Sequence, residues 1–343
     1  MAASFTVAVW AIISCTATFI LHPAFGATVG VAYGRLGNNL PSPPQVVSLL
    51  QQNGVENVFI YDTDHNVLGA FQGSGIKLIV SARNDELQSL ASGSASASTW
   101  VQSNILPYAS SISIIAVGNE VLTQNSGLSQ YLFPAMSNIY NALQAAGLDG
   151  SIHVSTPNAM DVIDSSKSFP PSSGAFSTSI QGQMSSILNF LSTTGAPFLA
   201  NVYPFFAYIG AGGSISLQYA LFQQNPGVTD SGSGLHYSNL FDAQVDTLIY
   251  AMAASGYGSI PVVVTETGWP HAGDSSATTQ NAQAYNSNLV ASVPNGTPKK
   301  PNQLISTYIF DLFDENQKGG AAYETSFGIF DPSTQTKNYD FSF

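Results

Sequence analysis

Charged side chains are scarce in this chain. It has 8 Lys and Arg against 20 Asp and Glu in 343 residues, for a net charge of −12. Nucleic acid and anionic membrane surfaces are bound through clustered cations. The cations here are scattered, with Lys299 and Lys300 the one adjacent pair, so both partners are excluded. Cysteine is almost absent. Cys15 stands alone in an apolar N-terminal stretch, so no disulfide staples the fold and a large core must stabilise it. His65, His153, His236 and His271 lack ligand spacing such as H-x-x-x-H, which leaves no metal site expected. Gly210-Ala211-Gly212-Gly213 lacks the third glycine of a dinucleotide loop and a strand directly before it, so no cofactor is expected. No apolar tail follows Phe343, and a lipid anchor is not expected.

Apolar residues are plentiful, at 44%. Phe5 to Leu21 is mostly apolar and leads to Ala24-Phe25-Gly26. This reads as a secretory signal over residues 1–26, too short an apolar run for a membrane span. The remaining 27–343 form one domain, with a glycosylation sequon at Asn295-Gly296-Thr297. A neutral polymer suits a surface so poor in charge, since sugars are held by aromatic faces and hydrogen bonds.

Short runs rich in β-branched residues alternate with amphipathic segments. The strands expected are Val29–Tyr33, Asn57–Tyr61, Lys77–Ser81, Ile112–Val117, Ile152–Ser155, Phe198–Tyr203, Pro261–Thr265 and Thr307–Phe310. Helical patterns run over Pro44–Gln52, Tyr131–Ala146, Ile180–Ser192 and Leu240–Ala254, closed by Gly54, Gly147, Gly195 and Gly256. Glycine just past the last apolar turn is a stop signal, because it adopts the left-handed conformation without strain. Eight such units predict a (β/α)₈ TIM barrel, with a doubly wound open sheet as the alternative. The low-complexity stretch 92–98 reads as a loop. The Gly- and Ser-rich region 209–238 reads as a small insertion after strand six, on the catalytic face.

A barrel carries its chemistry at the C-terminal ends of its strands, and polar and aromatic residues gather there. Tyr203, Phe206, Trp269 and Phe313 are candidate sugar platforms. Glu120 closes Ile114-Ile115-Ala116-Val117-Gly118-Asn119-Glu120, and Glu266 closes Val262-Val263-Val264-Thr265-Glu266. Two carboxyl groups at strand tips, about 5 Å apart, are what a retaining glycosidase needs as proton donor and nucleophile. Asn119 is placed to bond a sugar 2-hydroxyl. The residues alone leave open which glutamate is the acid, and whether the pair is merely structural. Glu56 and Glu86 read as structural, while Glu315 and Glu324 follow strand eight and can reach the same cleft.

Several motifs in order make the pattern specific. They are Val29-Gly30-Val31-Ala32-Tyr33-Gly34, Gly37-Asn38-Asn39-Leu40-Pro41, Ile60-Tyr61-Asp62, Gly118-Asn119-Glu120-Val121, Asn201-Val202-Tyr203-Pro204-Phe205-Phe206, Glu266-Thr267-Gly268-Trp269-Pro270, Phe313-Asp314-Glu315-Asn316-Gln317-Lys318 and Phe327-Gly328-Ile329-Phe330. Together they resemble the plant endo-β-1,3-glucanases of glycoside hydrolase family 17, across essentially all of 27–343. The resemblance implies a (β/α)₈ barrel with an open groove and a retaining mechanism, with Glu120 as acid/base and Glu266 as nucleophile. It places Tyr33, Asn119, Tyr203, Glu315, Lys318 and Glu324 along the groove, with an ion pair between Lys318 and Glu324. It also implies β-1,3-glucan as substrate and, without the C-terminal extension of vacuolar members, secretion to the wall space as a monomer.

Two positions depart from that pattern. Phe59 stands where relatives commonly have Arg, and Ala32 where Cys or Asn is common. Each is expected near the barrel interior, where a hydrogen bond or charge partner is lost. Mixed-linkage glucan cleavage, glucan transfer and silent glucan binding remain alternatives on the same scaffold.

Overall fold

The computed structural model describes residues 29–343. The expected signal over residues 1–26, with Cys15, lies outside the described residues. Nine parallel strand segments form one sheet: β1 (Val29–Tyr33), β2 (Asn57–Ile60), β3 (Lys77–Ala82), β4 (Ile112–Val117), β5 (His153–Ser155), β6 (Pro157–Ala159), β7 (Phe198–Asn201), β8 (Val262–Thr267) and β9 (Thr307–Ile309). The sheet order runs β5-β4-β3-β2-β1-β9-β8-β7-β6. Its two outer segments are halves of one stave, separated by Thr156 alone. β5 pairs with β4 and β6 with β7, so the fifth stave closes the sheet into a (β/α)₈ barrel. The staves are buried on both faces, as in β2 and β8, which is why they read as continuous apolar runs rather than alternations.

The expected helices are found as α1 (Pro43–Gln52), α5 (Ser129–Ala145), α6 (Gln181–Thr194) and α9 (Leu240–Ala254). α1 opens with Pro43 after Ser42, whose backbone N–H donates to Gln45 Oε1 at 3.0 Å, a capping box that fixes the first turn. The four stop glycines are all left-handed, with φ between 69° and 88°.

Other helices escaped the sequence reading. They include α2 (His65–Phe71), α3 (Leu87–Ala91) and α10 (Thr279–Ser292). The stretch expected to be a loop at 92–98 is corrected to the start of α4 (Ser94–Asn104). Its alanines favour a helix, but the alternating serines do not. The order comes from tertiary packing: Ala97, Trp100 and Val101 are buried, and Trp100 Nε1 donates to Glu86 Oε1 at 2.9 Å. That bond also gives Glu86 the structural role expected of it.

The segment after β7 forms the insertion, with α7 (Pro204–Gly210), α8 (Leu217–Ala220) and a two-stranded hairpin pairing Val228–Thr229 with His236–Tyr237. It is anchored where Phe222 packs against Phe241 and Tyr285. Among the described residues no helix is long and apolar enough to cross a membrane.

A proline inside an α-helix removes one hydrogen bond and clashes with the preceding turn, at a cost of about 3 kcal/mol. Ser98→Pro is expected to destabilise the protein by that order in denaturant unfolding. A shift near zero would mean that 94–104 behaves as a loop.

Candidate active site

A groove of about 1060 Å³ opens over the C-terminal ends of the staves, and Glu120 and Glu266 both line it. Each is aimed by a local irregularity. Gly118 turns the chain out of β4 with φ +65°, and Glu120 itself has φ +53°. A left-handed conformation is uncommon for a non-glycine residue and is strained unless its surroundings hold it. Asn84 holds this one: Asn119 N donates to Asn84 Oδ1 at 2.8 Å, and Asn84 Nδ2 returns a bond to Asn119 O at 3.0 Å. Glu120 N donates to Pro157 O on the neighbouring fifth stave. Glu266 sits where the register of β8 slips against both β7 and β9, a bulge that redirects a side chain.

Asn201, the last residue of β7, joins the two sites. Its Nδ2 donates to Glu120 Oε1 at 2.9 Å and to Asn119 Oδ1 at 3.1 Å. Its Oδ1 accepts from Thr265 Oγ1 at 2.8 Å, one residue before Glu266. Tyr203 Oη donates to Glu266 Oε2 at 2.8 Å. The Tyr61 hydroxyl faces the same carboxyl, but neither it nor Glu266 Oε1 makes a hydrogen bond of good geometry.

Burial raises both carboxyls above the usual range. For Glu120 it is the main cause, opposed by the Asn201 amide. For Glu266 burial comes first and the charge of Glu120 second, pushing it to about 7 against the Tyr203 hydroxyl and Lys318. Two buried acids that repel each other share protons as a pair. Such a pair can donate a proton and present a carboxylate at once.

Lys318 stands nearby, with Nζ 3.4 Å from Glu324 Oε2 and 3.8 Å from Glu315 Oε2. It also lies 4.1 Å from the centroid of the Phe310 ring. The expected ion pair is therefore present, and all three residues line the groove. Tyr33, Asn119, Tyr203 and Phe206 line it too. Phe206, 37% exposed beside Tyr203, offers an open ring face. Two other expected platforms are corrected. Trp269 is fully buried under the groove wall, against Phe205, Tyr208 and Tyr285, with Nε1 donating to Ser276 O at 2.9 Å. Just before it the chain runs close under Phe310: a Cβ on Gly268 would lie 2.1 Å from Phe310 O. Phe313 is likewise buried, behind Tyr33.

Phe59 and Ala32 are neighbours in the barrel interior, in register across β1 and β2. Phe59 is buried with its ring 4.5 Å from that of Tyr61. It therefore supports a groove residue from below, and neither position lines the opening.

The sequence reading missed Asn201, Asn84 and Tyr61 as site residues. Asn201 and Tyr61 lay within the quoted motifs, but their partners are 81 residues away for Asn201 and on another stave for Tyr61.

The family model described as glycosyl hydrolases family 17 matches residues 29–343. A glucan endo-1,3-beta-glucosidase of Vitis vinifera is 45% identical over 320 residues, 92% of each chain. Glucan endo-1,3-beta-glucosidase GII of Hordeum vulgare is 46% identical over 316 residues, again 92% of each. Among solved structures, CJP38, a beta-1,3-glucanase and allergen of Cryptomeria japonica pollen, superposes with a TM-score of 0.88 at 48% identity, covering 91% of this chain and 98% of that one.

The two aromatic positions separate by stability. Trp269→Ala removes a fully buried ring and is expected to cost about 3–5 kcal/mol. Phe206→Ala, at an open position, is expected to cost under about 1 kcal/mol. Thermal unfolding of both variants checks the assignment, and equal losses would contradict it.

Proposed function

The chain belongs to glycosyl hydrolase family 17, and on that footing we propose that it cleaves internal β-1,3-glucosidic bonds of β-1,3-glucans by double displacement. One observation carries the reading: the buried Glu266 carboxyl and the half-buried Glu120 carboxyl line one open groove and share hydrogen-bonding scaffolding through Asn201. Glu120 is the acid/base and Glu266 the nucleophile. The Tyr203 hydroxyl donates to Glu266, and that bond and the charge of Lys318 both favour its anion. Glu120 protonates the departing glycosidic oxygen as Glu266 attacks the anomeric carbon. Water, deprotonated by Glu120, then releases the glycosyl group from Glu266.

Asn119, next to Glu120 on the same turn, is assigned the sugar 2-hydroxyl, and Phe206 a sugar face. Tyr33, Glu315 and Glu324 complete the walls. We read Trp269 as support for the groove rather than as a sugar contact. An open groove suits cleavage within a polymer. The apolar stretch from Phe5 to Leu21 with its small-residue site supports secretion, and a monomer acting alone is the simplest assembly for such a groove.

Reducing-sugar release from linear β-1,3-glucan, with mixed-linkage β-1,3;1,4-glucan alongside, tests the substrate. Activity on the linear polymer is expected to fall about 10³-fold or more in Glu266→Ala and about 10²–10⁴-fold in Glu120→Gln. Wild-type activity confined to the mixed-linkage polymer, or undiminished in Glu266→Ala, would overturn the reading.

The pH profile follows from the shared proton. Below the lower apparent pKa both groups are protonated and no nucleophile remains. Above the upper one, near 7, neither holds the proton that the leaving group needs. A bell-shaped kcat profile with its alkaline limb near pH 7 is expected. Lys318→Met removes a cation that favours ionisation of both Glu120 and Glu266, so both limbs are expected to move to higher pH. An unchanged profile would remove Lys318 from this role.

A further inference from the structure

Asp311 takes no part in the steps above, yet it lies fully buried just past β9, below the groove. Its Oδ1 accepts from Gly34 N at 2.9 Å and Leu312 N at 2.6 Å, while its Oδ2 has no hydrogen-bond partner. Glu315 is 4% exposed. Its Oε1 accepts from Leu36 N at 2.7 Å, and its Oε2 faces Lys318. The two carboxyls converge on Gly34, where a Cβ would lie 2.3 Å from Asp311 Oδ2 and 2.5 Å from Glu315 Oε1.

The surrounding charges do not balance if both acids are ionised. Lys318 is the cation that faces Asp311 and Glu315 from their own loop, and it is also shared with Glu324. Tyr33 of β1 and Tyr61 beyond β2 face Asp311 as phenols, whose protons are held tightly by burial first and by the charge of Asp311 in smaller part. The 327–329 segment contributes backbone, through Phe327 O and Ile329 N. Two carboxylates crowded in low dielectric beside one shared ammonium are costly, and one of them retains a proton instead. Burial and the charge of Glu315 hold Asp311 well above the usual carboxylate range.

We propose that Asp311 is a positioning residue: as a neutral acid it donates its proton to Glu315 Oε1, and the pair fixes both the Gly34–Leu36 wall and Lys318. Lys318 then acts on Glu266 without a further negative charge beneath it. The inference rests on the reading of the groove as the active site, but its first test requires no catalysis.

The full chain and Asp311→Asn are unfolded thermally from pH 4 to pH 8. The amide keeps a neutral donor and the Oδ1 acceptor, so the variant imitates the protonated acid. A raised folded-state pKa gives a contribution that is complete below the unfolded value near 4 and lost as pH rises towards the folded value. The Tm of Asp311→Asn minus that of wild type is therefore expected to grow with pH. A difference that stays constant overturns the proton-holding role. In glucan hydrolysis, Asp311→Ala is expected to lower kcat about tenfold and Asp311→Asn to recover most of the loss. Equal loss in both variants overturns the positioning role. A wild type without activity on any glucan would instead count against the proposed function, and the Tm comparison would still decide the pair.

Discussion

One side-chain amide ties the site together. Asn201 reaches from the end of β7 to Glu120 and Asn119 on one side and to Thr265 on the other. Three staves are thereby locked in relative position just where two carboxyl groups enter the groove. Without that amide, Glu120 would hold a half-buried charge with less compensation and a backbone conformation with φ +53° and weaker support. Asn84 backs the same turn from β3, so the strained residue is held from two directions. The barrel supplies rigid staves, and a few amides convert that rigidity into the placement of two acids.

The scarcity of charge in the sequence has a structural counterpart. The groove gathers its acids around a single ammonium, Lys318, which bears on Glu315, Glu324 and Glu266 together. Buried acids with too few cations keep protons, and protons held by buried acids are what acid catalysis requires. The aromatic lining serves the same economy. Tyr203 packs, half-buried, among Phe206, Phe310 and Phe327 and spends its hydroxyl on Glu266. Phe206 remains open enough to meet a sugar face.

Much of this was legible in the sequence, for identifiable reasons. Parallel staves buried on both faces leave unbroken Val and Ile runs, so all eight of the expected strands begin within one residue of where they were placed. Glu120 and Glu266 stood out because they end such runs. The fifth stave was harder: its break at Thr156 follows from pairing with different neighbours above and below, which no local pattern encodes. α4 was taken for a loop because its order comes from Trp100 and Glu86 rather than from its own Ser and Ala. Trp269 was taken for a platform because exposure cannot be read from a motif, and its ring is enclosed by Phe205, Tyr208 and Tyr285. Asn201 and Asp311 were overlooked because their roles depend on partners brought near only by barrel closure.

The assignment of Glu266 as nucleophile is tested most directly by trapping the covalent intermediate. A 2-deoxy-2-fluoro β-1,3-glucoside with a good leaving group slows the second step more than the first, and digestion with mass spectrometry locates the sugar. A label on the peptide that carries Glu266, lost in Glu266→Ala, is the expected result. A label on Glu120, or steady turnover with no adduct and inverted product configuration, would contradict double displacement at this residue.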